Sequence, residues 1–256
     1  MREPMYQLTA CPVGTMPVPG WECFFARNDT ALYDLTFYVW LVRGDHTLGL
    51  VDAGLPPGED DMAMLDKANQ QVDERCVYRD VSTLEEVLER QGVRPEAIDF
   101  VAITQPITYH TGSLLSQFFP RAEVYISRAG VFELLLEKVD HPPRQFYFTR
   151  DTWRFIYDLL LEDRLRLVDE PTEIAPGVWF ETTGGHHPGS AAVRVPTDAG
   201  VVGLLETAFL QRNVDDELPI GVAESVAECR RAIRRYKGIC DTVVAIHEPE
   251  NAGRFV

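Results

Sequence analysis

Four apolar, β-rich runs that each lead to a histidine or a carboxylate constrain this chain more than any other feature. The first of them, Phe100–Ile103, has the length and composition of a buried strand. A polar loop, Thr104–Gly112, follows it, and an amphipathic segment that Pro120 ends then leads into a further apolar run. Mixed α/β folds place their chemistry in loops just past the carboxyl end of a buried strand, although such a loop can also merely connect two elements. The sequence therefore predicts an α/β protein with a candidate site in this loop.

The other three runs deliver polar side chains in the same way. The chain has six histidines, and four of them stand at the ends of such runs. Their repetition makes it less favoured that Thr104–Gly112 is a loop that merely connects two elements. The three stretches are Thr182–Ser190 with His186 and His187, Val202–Thr207 with Glu206, and Val243–Pro249 with His247.

In these stretches the chain resembles the metallo-β-lactamase-fold superfamily, and by length and layout its lactonase-like branch. The family's first motif, T-H-x-H-x-D-H-x-G, falls on Thr104–Gly112, and its G-H-T-P-G-S motif falls on Gly185–Ser190. An early Val-Asp-x-Gly element matches Val51–Gly54, the family's bridging aspartate falls on Glu206, and its last histidine falls on His247. The matches run in the family's order over nearly the whole chain.

The first motif departs from the family's pattern at three positions. Gln105 and Ile107 stand where histidines are expected, Tyr109 stands where the aspartate is expected, and His110 remains. The resemblance therefore implies that the usual two-metal centre does not form and that at most one metal binds per chain. The residues left to hold a single zinc, iron or manganese ion are His110, His186, Glu206 and His247. A metal-free site, in which the same residues and Tyr109 form an acid–base cluster, is the alternative.

The resemblance also implies the architecture, a four-layer αββα sandwich in which two mixed β-sheets face each other beneath outer helices. All of residues 1–256 then form one α/β domain, with the site along one edge of the sandwich. Residues 1–30 are expected to be an arm that packs on the body or on a second subunit. The aromatic stretch 131–166 is expected to be a helical insertion that lines the substrate pocket, or else packs into the core. In the family's pattern, Asp52 supports the metal-site loop through hydrogen bonds.

Local signals predict two of the outer helices. Ser82–Glu85 has the form of a capping box, and it opens a helix that Gly92 stops. Val222–Lys237 has an apolar face and a cationic end that suits the helix dipole. The first of these helices is expected to cover the sheet that carries Phe100–Ile103.

The candidate site predicts a type of chemistry rather than a substrate. A water bound to a metal, or activated by histidine alone, would attack a carbonyl, with Tyr109 near the leaving oxygen. The first hypothesis is a hydrolase of a small ester, lactone or related acyl compound that uses one divalent metal or none. The alternatives are an isomerase, lyase or cyclase built on the same pocket, and a non-enzymatic protein that binds a small molecule. The catalytic candidates are Tyr109, His110, His186, Glu206 and His247.

Charge and cysteine content narrow the expected partners. The formal net charge of −16 should repel nucleic acid and anionic membrane surfaces. The five cysteines are scattered without a C-x-x-C pair, which is typical of a reduced, cytoplasmic protein. No apolar run approaches the ~20 residues of a membrane-spanning helix, and the first residues lack the apolar segment of a signal peptide. The expected partners are a small-molecule substrate and, as an open alternative, a second copy of the chain in a homodimer.

Overall fold

Two β-sheets form the centre of the protein in the computed structural model, which describes residues 5–136 and 147–256. Within those residues the strands of the first sheet are β1 (Gln7–Pro19), β2 (Leu32–Arg43), β3 (Leu48–Val51), β4 (Phe100–Ile103), β5 (Glu123–Ser127) and β6 (Leu165–Val168). They lie in sequence order, antiparallel from β1 to β3 and parallel from β3 to β6. The first sheet is therefore mixed, as the resemblance predicts.

The second sheet is also mixed. Its strands in the described chain are β7 (Thr172–Ala175), β8 (Val178–Thr182), β9 (Ala191–Thr197), β10 (Gly200–Leu205) and β11 (Thr242–Ala245). The spatial order is β11-β10-β9-β8-β7. Neighbours are antiparallel except for β10 and β11, which run parallel. The parallel pair places the ends of β10 and β11 at the same edge, where Glu206 and His247 follow.

Apolar side chains bury the two sheets against each other. Trp40 and Phe100 of the first sheet belong to one buried cluster with Phe180 and Leu204 of the second. Successive side chains of a strand point to opposite faces, so Val39, next to Trp40, lies in a separate cluster beneath the outer helices. This alternation explains why β2 is apolar on both of its faces.

Helices cover the outer face of each sheet. In the described residues they are α1 (Gly20–Cys23), α2 (Glu59–Asn69), α3 (Leu84–Arg90), α4 (Thr108–Thr111), α5 (Arg128–Leu136), α6 (Arg150–Leu161), α7 (Gln211–Asp215), α8 (Val226–Ile239) and α9 (Asn251–Arg254). Leu65 of α2, Leu88 of α3 and Phe155 of α6 pack with the first sheet. Ile233 and Tyr236 of α8 pack with the second. The four-layer αββα sandwich predicted from the sequence is confirmed.

Two helices begin later than the sequence signals indicate. The N-cap of α3 is Thr83, and Glu86 closes the capping box, one residue beyond the predicted pair. The helix α8 begins at Val226, four residues late, because the Ser225 hydroxyl accepts a hydrogen bond from the backbone N–H of Glu228. The four residues before α8 are therefore a loop, and this loop lies beside the candidate site.

The first thirty residues and the aromatic stretch pack as follows. The strand β1 pairs with β2 along its length and shifts register once, between Pro12 and Gly14. Of the stretch 131–166, residues 137–146 lie outside the described residues. In the rest of that stretch Phe148 and Phe155 are buried in the cluster beneath the outer helices, while Tyr157 is exposed.

None of the helices in the described part of the chain is long and apolar enough to cross a membrane.

Candidate active site

Asp52 and His110 form a buried pair at the end of the first sheet. Asp52 follows β3 with a left-handed φ of +64°, and its carboxylate accepts hydrogen bonds from the backbone N–H and the hydroxyl of Thr104. Nδ1 of His110 lies 2.8 Å from Oδ2 of Asp52, so the ring donates its Nδ1 proton to the carboxylate. The neutral ring then has a lone pair on Nε2, and this atom is buried with no hydrogen-bond partner among the described residues.

His186 and Glu206 form a second pair on the other sheet. Glu206 follows β10 and is fully buried, and its Oε1 accepts a hydrogen bond from Nδ1 of His186. The His186 side chain keeps 18% of its surface exposed, and its ring packs edge-on against Phe209 with 5.0 Å between centroids. Oε2 of Glu206 is buried without a hydrogen-bond partner in residues 5–136 and 147–256. In both pairs, therefore, a buried carboxylate holds the Nδ1 side of a histidine ring.

Two glycines turn the chain so that His186 reaches Glu206. Gly184 and Gly185 have positive φ values of 62° and 97°. A Cβ at Gly185 would lie 2.7 Å from the backbone nitrogen of Cys229 on α8. Only glycine accepts both this backbone conformation and this contact, so the glycine pair fixes the loop against α8.

His247 lies two residues past β11 and completes the group. Its Nδ1 is 3.2 Å from the carbonyl oxygen of Thr36, and because a carbonyl can only accept, Nδ1 carries the proton. The ring centroid lies 4.6 Å from that of Phe37 and 5.3 Å from that of His110. Burial, and then the positive charge that His110 carries when it is protonated, lower the pKa of His247 to about 3. The ring is therefore neutral at physiological pH and presents the lone pair of Nε2.

The charges of the two pairs act on each other. Burial alone would lower the pKa of His110, but Asp52 and then Glu206 outweigh it and raise that pKa above its usual value. Burial alone would raise the pKa of Glu206, but His186 and then His110 outweigh it and hold that pKa below its usual value. Glu206 is thus a carboxylate at neutral pH within electrostatic reach of His110. Asp52, His110, His186, Glu206 and His247 together are called the His186 cluster below.

Tyr109 and two replaced motif positions lie next to this cluster. The Tyr109 hydroxyl donates a hydrogen bond to Oδ1 of Asn69 on α2 at 2.7 Å, and its ring lies 5.6 Å from that of Phe37. Burial is the main cause of the raised pKa of Tyr109. Gln105 and Ile107 are both buried. The hydroxyl of Tyr109 therefore has a hydrogen-bond partner that does not belong to the His186 cluster.

A second group of ligand-type side chains, which the sequence does not predict, surrounds the next residue, His187. Nε2 of His187 lies 3.1 Å from Oε2 of Glu133, and both side chains are buried. Glu224 is exposed and adds a third donor, so that the ligand atoms of the three residues lie within 4.8 Å of one another. Glu133, His187 and Glu224 are called the His187 cluster below.

The His187 cluster depends on a close approach between α5 and the histidine loop. A Cβ on Gly189 would lie 2.5 Å from the Cα of Gly130, so the backbones touch there only because both residues are glycine. Glu133 is three residues after Gly130 and lies on the same side of α5. The available sequence signal was a histidine, His187, at the place of the family's threonine; nothing in the sequence links it to Glu133.

The two clusters also differ in the space around them. A cavity of about 420 Å³ opens beside the His187 cluster, lined by residues of the loop 182–188 and by Glu224. This and four further cavities, of about 300 to 540 Å³, are lined by parts of the described surface other than His110, Glu206 and His247.

The metal implied by the resemblance does not fit the His186 cluster as placed. Ligand atoms around one zinc ion lie within about 4.4 Å of one another. In the described part of the chain, the His187 cluster is the one group of three such donors within 4.8 Å, and the His186 cluster gathers no three. Its donor chemistry would suit an ion, because each ring holds its Nδ1 proton against a partner and presents Nε2. The distances between the donors do not suit an ion. The described structure therefore does not gather the predicted ligand set around one point: His110, His186, Glu206 and His247.

Solved structures of low sequence identity share the fold. An N-acyl homoserine lactone hydrolase, with N-hexanoyl-L-homoserine bound at its catalytic metal centre, is 18% identical, with a TM-score of 0.75 over 99% of this chain and 97% of that chain. A probable metal-dependent hydrolase from Staphylococcus aureus is 15% identical, with a TM-score of 0.71 over 92% of this chain and 85% of that one. A hydrolase of the β-lactamase superfamily is 16% identical, with a TM-score of 0.69 over 98% of this chain and 92% of that one.

These likenesses show that the chain has the metallo-β-lactamase fold, as its sequence predicts. Comparison of the sequence itself finds no family model and no curated protein that matches.

Proposed function

We propose that the chain is a hydrolase of a small lactone or ester, with His110 as the base that activates water. Structurally similar proteins support this reaction class, since they include an N-acyl homoserine lactone hydrolase and two other hydrolases. The observation that carries the proposal is the Asp52–His110 pair, in which a carboxylate holds Nδ1 and leaves a buried Nε2 without a partner in the described chain. A buried polar atom of this kind requires an explanation, and a catalytic role supplies one.

A second such atom comes from the opposite sheet. Oε2 of Glu206 is also buried and has no hydrogen-bond partner in the part of the chain that is described. The charges of Glu206 and His110 shift each other's pKa, so the two side chains act on one small region. Two buried polar atoms in one region suit a water molecule, or a polar substrate group, held between them.

In the proposed reaction, Nε2 of His110 takes one proton from water while the water oxygen forms a bond to the carbonyl carbon of the substrate. The tetrahedral intermediate then breaks its bond to the leaving oxygen, and the imidazolium of His110 returns the proton to that oxygen. The products are a carboxylic acid and an alcohol, which are parts of one hydroxy acid when the substrate is a lactone. Asp52 holds the orientation of the ring and stabilises the transient imidazolium.

The remaining members of the His186 cluster position the reactants in this proposal. Glu206 accepts a hydrogen bond from the attacking water, and His247 presents an uncharged Nε2 to the same region. His186 has the most open ring of the three histidines, so the substrate enters beside it. Tyr109, whose hydroxyl is engaged with Asn69, forms part of the wall.

A panel of lactones and esters tests the proposal. Initial rates of ring opening or ester cleavage are measured for the wild-type chain and for His110→Gln. We expect hydrolysis of at least one compound, and a loss of about 10²- to 10⁴-fold in kcat/KM for the variant, the usual contribution of a general base. His46→Gln, in the exposed turn between β2 and β3, is the matched control, and it should keep the wild-type rate. A wild-type chain that hydrolyses nothing, or a His110→Gln variant that reacts at the wild-type rate, would refute the proposal.

A non-enzymatic binding protein is the second candidate, and the position of the cavities favours it. The cavity of about 420 Å³ lies beside His187 rather than beside His110. Calorimetry with the same lactones and their hydroxy acids separates the two candidates. Binding without any conversion of the ligand would support the binding protein.

A further inference from the structure

We infer that the chain holds no resident divalent metal at either the His186 cluster or the His187 cluster, and that the pairs Asp52–His110 and Glu206–His186 act without one. The absence of a resident metal does not depend on any reaction. The claim that the two pairs act without a metal rests on the proposed function. The two clusters are unsuited to a metal for opposite reasons.

The His186 cluster has suitable donors in unsuitable positions. A ring nitrogen of His186 is engaged with Glu206, the carboxylate that would have to serve the ion. Zinc requires its ligand atoms to lie within about 4.4 Å of one another. In the described structure no three donors of the cluster come even within 4.8 Å of one another. The motif positions that would add two imidazoles carry Gln105 and Ile107, which are both buried. An isoleucine offers no lone pair, and a glutamine amide is a poor ligand for zinc.

The donor atoms of the His187 cluster are close enough to share an ion, but the histidine carries its proton on the nitrogen that would bind that ion. The backbone N–H of Gly189 donates a hydrogen bond to Nδ1 of His187 at 3.2 Å. An accepting Nδ1 carries no proton, so the neutral ring carries its proton on Nε2. Oε2 of Glu133 lies 3.1 Å from this nitrogen, at ion-pair distance.

A metal on Nε2 of His187 would have to move this proton. The neutral ring would then carry its proton on Nδ1. The N–H of Nδ1 and the backbone N–H of Gly189 would point at each other, and their hydrogen bond would be lost. The backbone N–H of His187 is itself held by Oγ of Ser190 at 3.2 Å, so the loop is fixed in this arrangement. The hydrogen bond at Nδ1 therefore opposes a metal on Nε2 of His187, and the nearness of Glu133 and Glu224 does not make these three residues a metal site.

Metal content and melting temperature of the purified chain test the inference. The chain is produced in medium supplemented with zinc, manganese and iron, desalted without chelator and submitted to elemental analysis. We expect each metal at far below one equivalent per chain. A bound ion whose free concentration is about 100 times its dissociation constant would raise the melting temperature of a chain of this size by roughly 5 to 10 °C. We expect no shift with any of the three ions and none with EDTA.

Two matched substitutions locate any metal that does bind. Stoichiometric metal that is lost in Glu206→Gln but kept in Glu133→Gln would place an ion in the His186 cluster and overturn the inference. The reverse result would place an ion in the His187 cluster and overturn it equally. Metal that survives both substitutions lies outside both clusters, and the inference then stands.

A restored variant tests the cause assigned to the His186 cluster. Gln105→His, Ile107→His, Tyr109→Asp and Glu206→Asp together rebuild the motif that the sequence resembles. The control carries Gln105→Asn, Ile107→Leu and Tyr109→Phe, which change the same loop without adding ligands. We expect the restored variant to take up zinc and the control to take up none. A restored variant that folds, by circular dichroism, yet binds no zinc would overturn the assignment of metal loss to these positions.

Failure of the proposed function is a separate result. A chain without metal that hydrolyses nothing refutes the hydrolase and leaves the part about metal intact. A chain whose hydrolysis stops with EDTA and returns with zinc refutes the inference and leaves the hydrolase intact.

Discussion

His186 and His187 are consecutive in the chain and occupy different chemical settings. Nδ1 of His186 donates to the buried carboxylate of Glu206, whereas Nδ1 of His187 accepts from the backbone of Gly189. Their neutral rings therefore carry the proton on opposite nitrogens. The difference teaches that the partner of Nδ1, more than the presence of a histidine in a motif, sets what the other nitrogen can do.

The surroundings of the two rings explain the contrast. His186 meets side chains delivered by strand ends, and these carry a carboxylate and two further histidines. His187 meets α5, which approaches the loop closely where two glycines touch. One dipeptide thus joins a cluster whose rings present a lone pair on Nε2 to a cluster whose ring carries its proton on that nitrogen.

The largest expected effect separates the two clusters by activity. His110→Gln should lower kcat/KM by about 10²- to 10⁴-fold, because it removes the base. His187→Gln should lower it far less, because in our proposal Nε2 of His187 carries the proton of the neutral ring and takes none from water. Steady-state rates on the best compound of the panel measure both. Equal losses in the two variants would break the contrast between the clusters.

The next effect concerns the loop that sends the two rings in different directions. Gly185→Ala should destabilise the chain by about 2 to 4 kcal/mol, because it combines a strained φ with overpacking. A Cβ at this glycine, whose φ is +97°, would lie 2.7 Å from the backbone of Cys229. Urea unfolding at neutral pH measures the change.

Gly238→Ala on α8 is the control for that substitution. A Cβ at Gly238 would meet no described atom within 4 Å. The change should therefore stabilise the helix by up to about 1 kcal/mol, since alanine has the higher helix propensity. If both variants shifted the urea midpoint alike, the loop would not be under the constraint described.

A third effect uses pH to probe the His186 cluster. The folded pKa of His247, about 3, lies below the unfolded value near 6.5. As pH falls below 6.5, His247 therefore binds a proton in the unfolded chain but stays neutral in the folded chain. The free energy of unfolding decreases in that direction. Between pH 6.5 and 4.5 this linkage is worth about 2 kcal/mol. His247→Gln should flatten the dependence in that window.

Other groups of the cluster act outside the window. The raised pKa of His110 contributes stability that is present below 6.5 and is lost as pH rises through its folded pKa. The lowered pKa of Glu206 contributes stability that is present above 4.5 and is lost as pH falls through its folded pKa. Urea midpoints at several pH values, with exposed His46→Gln as control, make the measurement. A slope that persists unchanged in His247→Gln would show that His247 is not the group responsible.

The smallest effect marks the edge of the His186 cluster. Tyr109→Phe should cost about 1 to 2 kcal/mol of stability, because it leaves Asn69, which is buried, without the hydroxyl. Tyr78→Phe is the matched control, since that buried hydroxyl has no partner within the described ranges and its removal should be neutral. Thermal unfolding measures both. A fall in kcat/KM for Tyr109→Phe as large as that for His110→Gln would show that Tyr109 takes part in catalysis and is more than a part of the wall.

The sequence by itself determined the fold and most of the residues of the His186 cluster. Apolar runs are local signals, so strands could be placed at Phe100–Ile103 and within Val202–Thr207 and Val243–Pro249 without a structure. The resemblance of these stretches to the metallo-β-lactamase-fold superfamily then brought His110, His186, Glu206 and His247 into one candidate set. Capping signals were less exact, and α3 begins one residue late because two adjacent residues, Ser82 and Thr83, can both cap.

Only the tertiary structure decided which atoms meet. The contact of Glu133 with His187 joins residues far apart in the chain through two touching glycines, and no local pattern encodes it. The proton positions of the histidines follow from partners such as Asp52, Thr36 and Gly189, which approach only once the layers have packed. Local periodicity reports which side chains must be buried, whereas the proton on an imidazole depends on interactions at hydrogen-bond range, and these are fixed only by the packed fold.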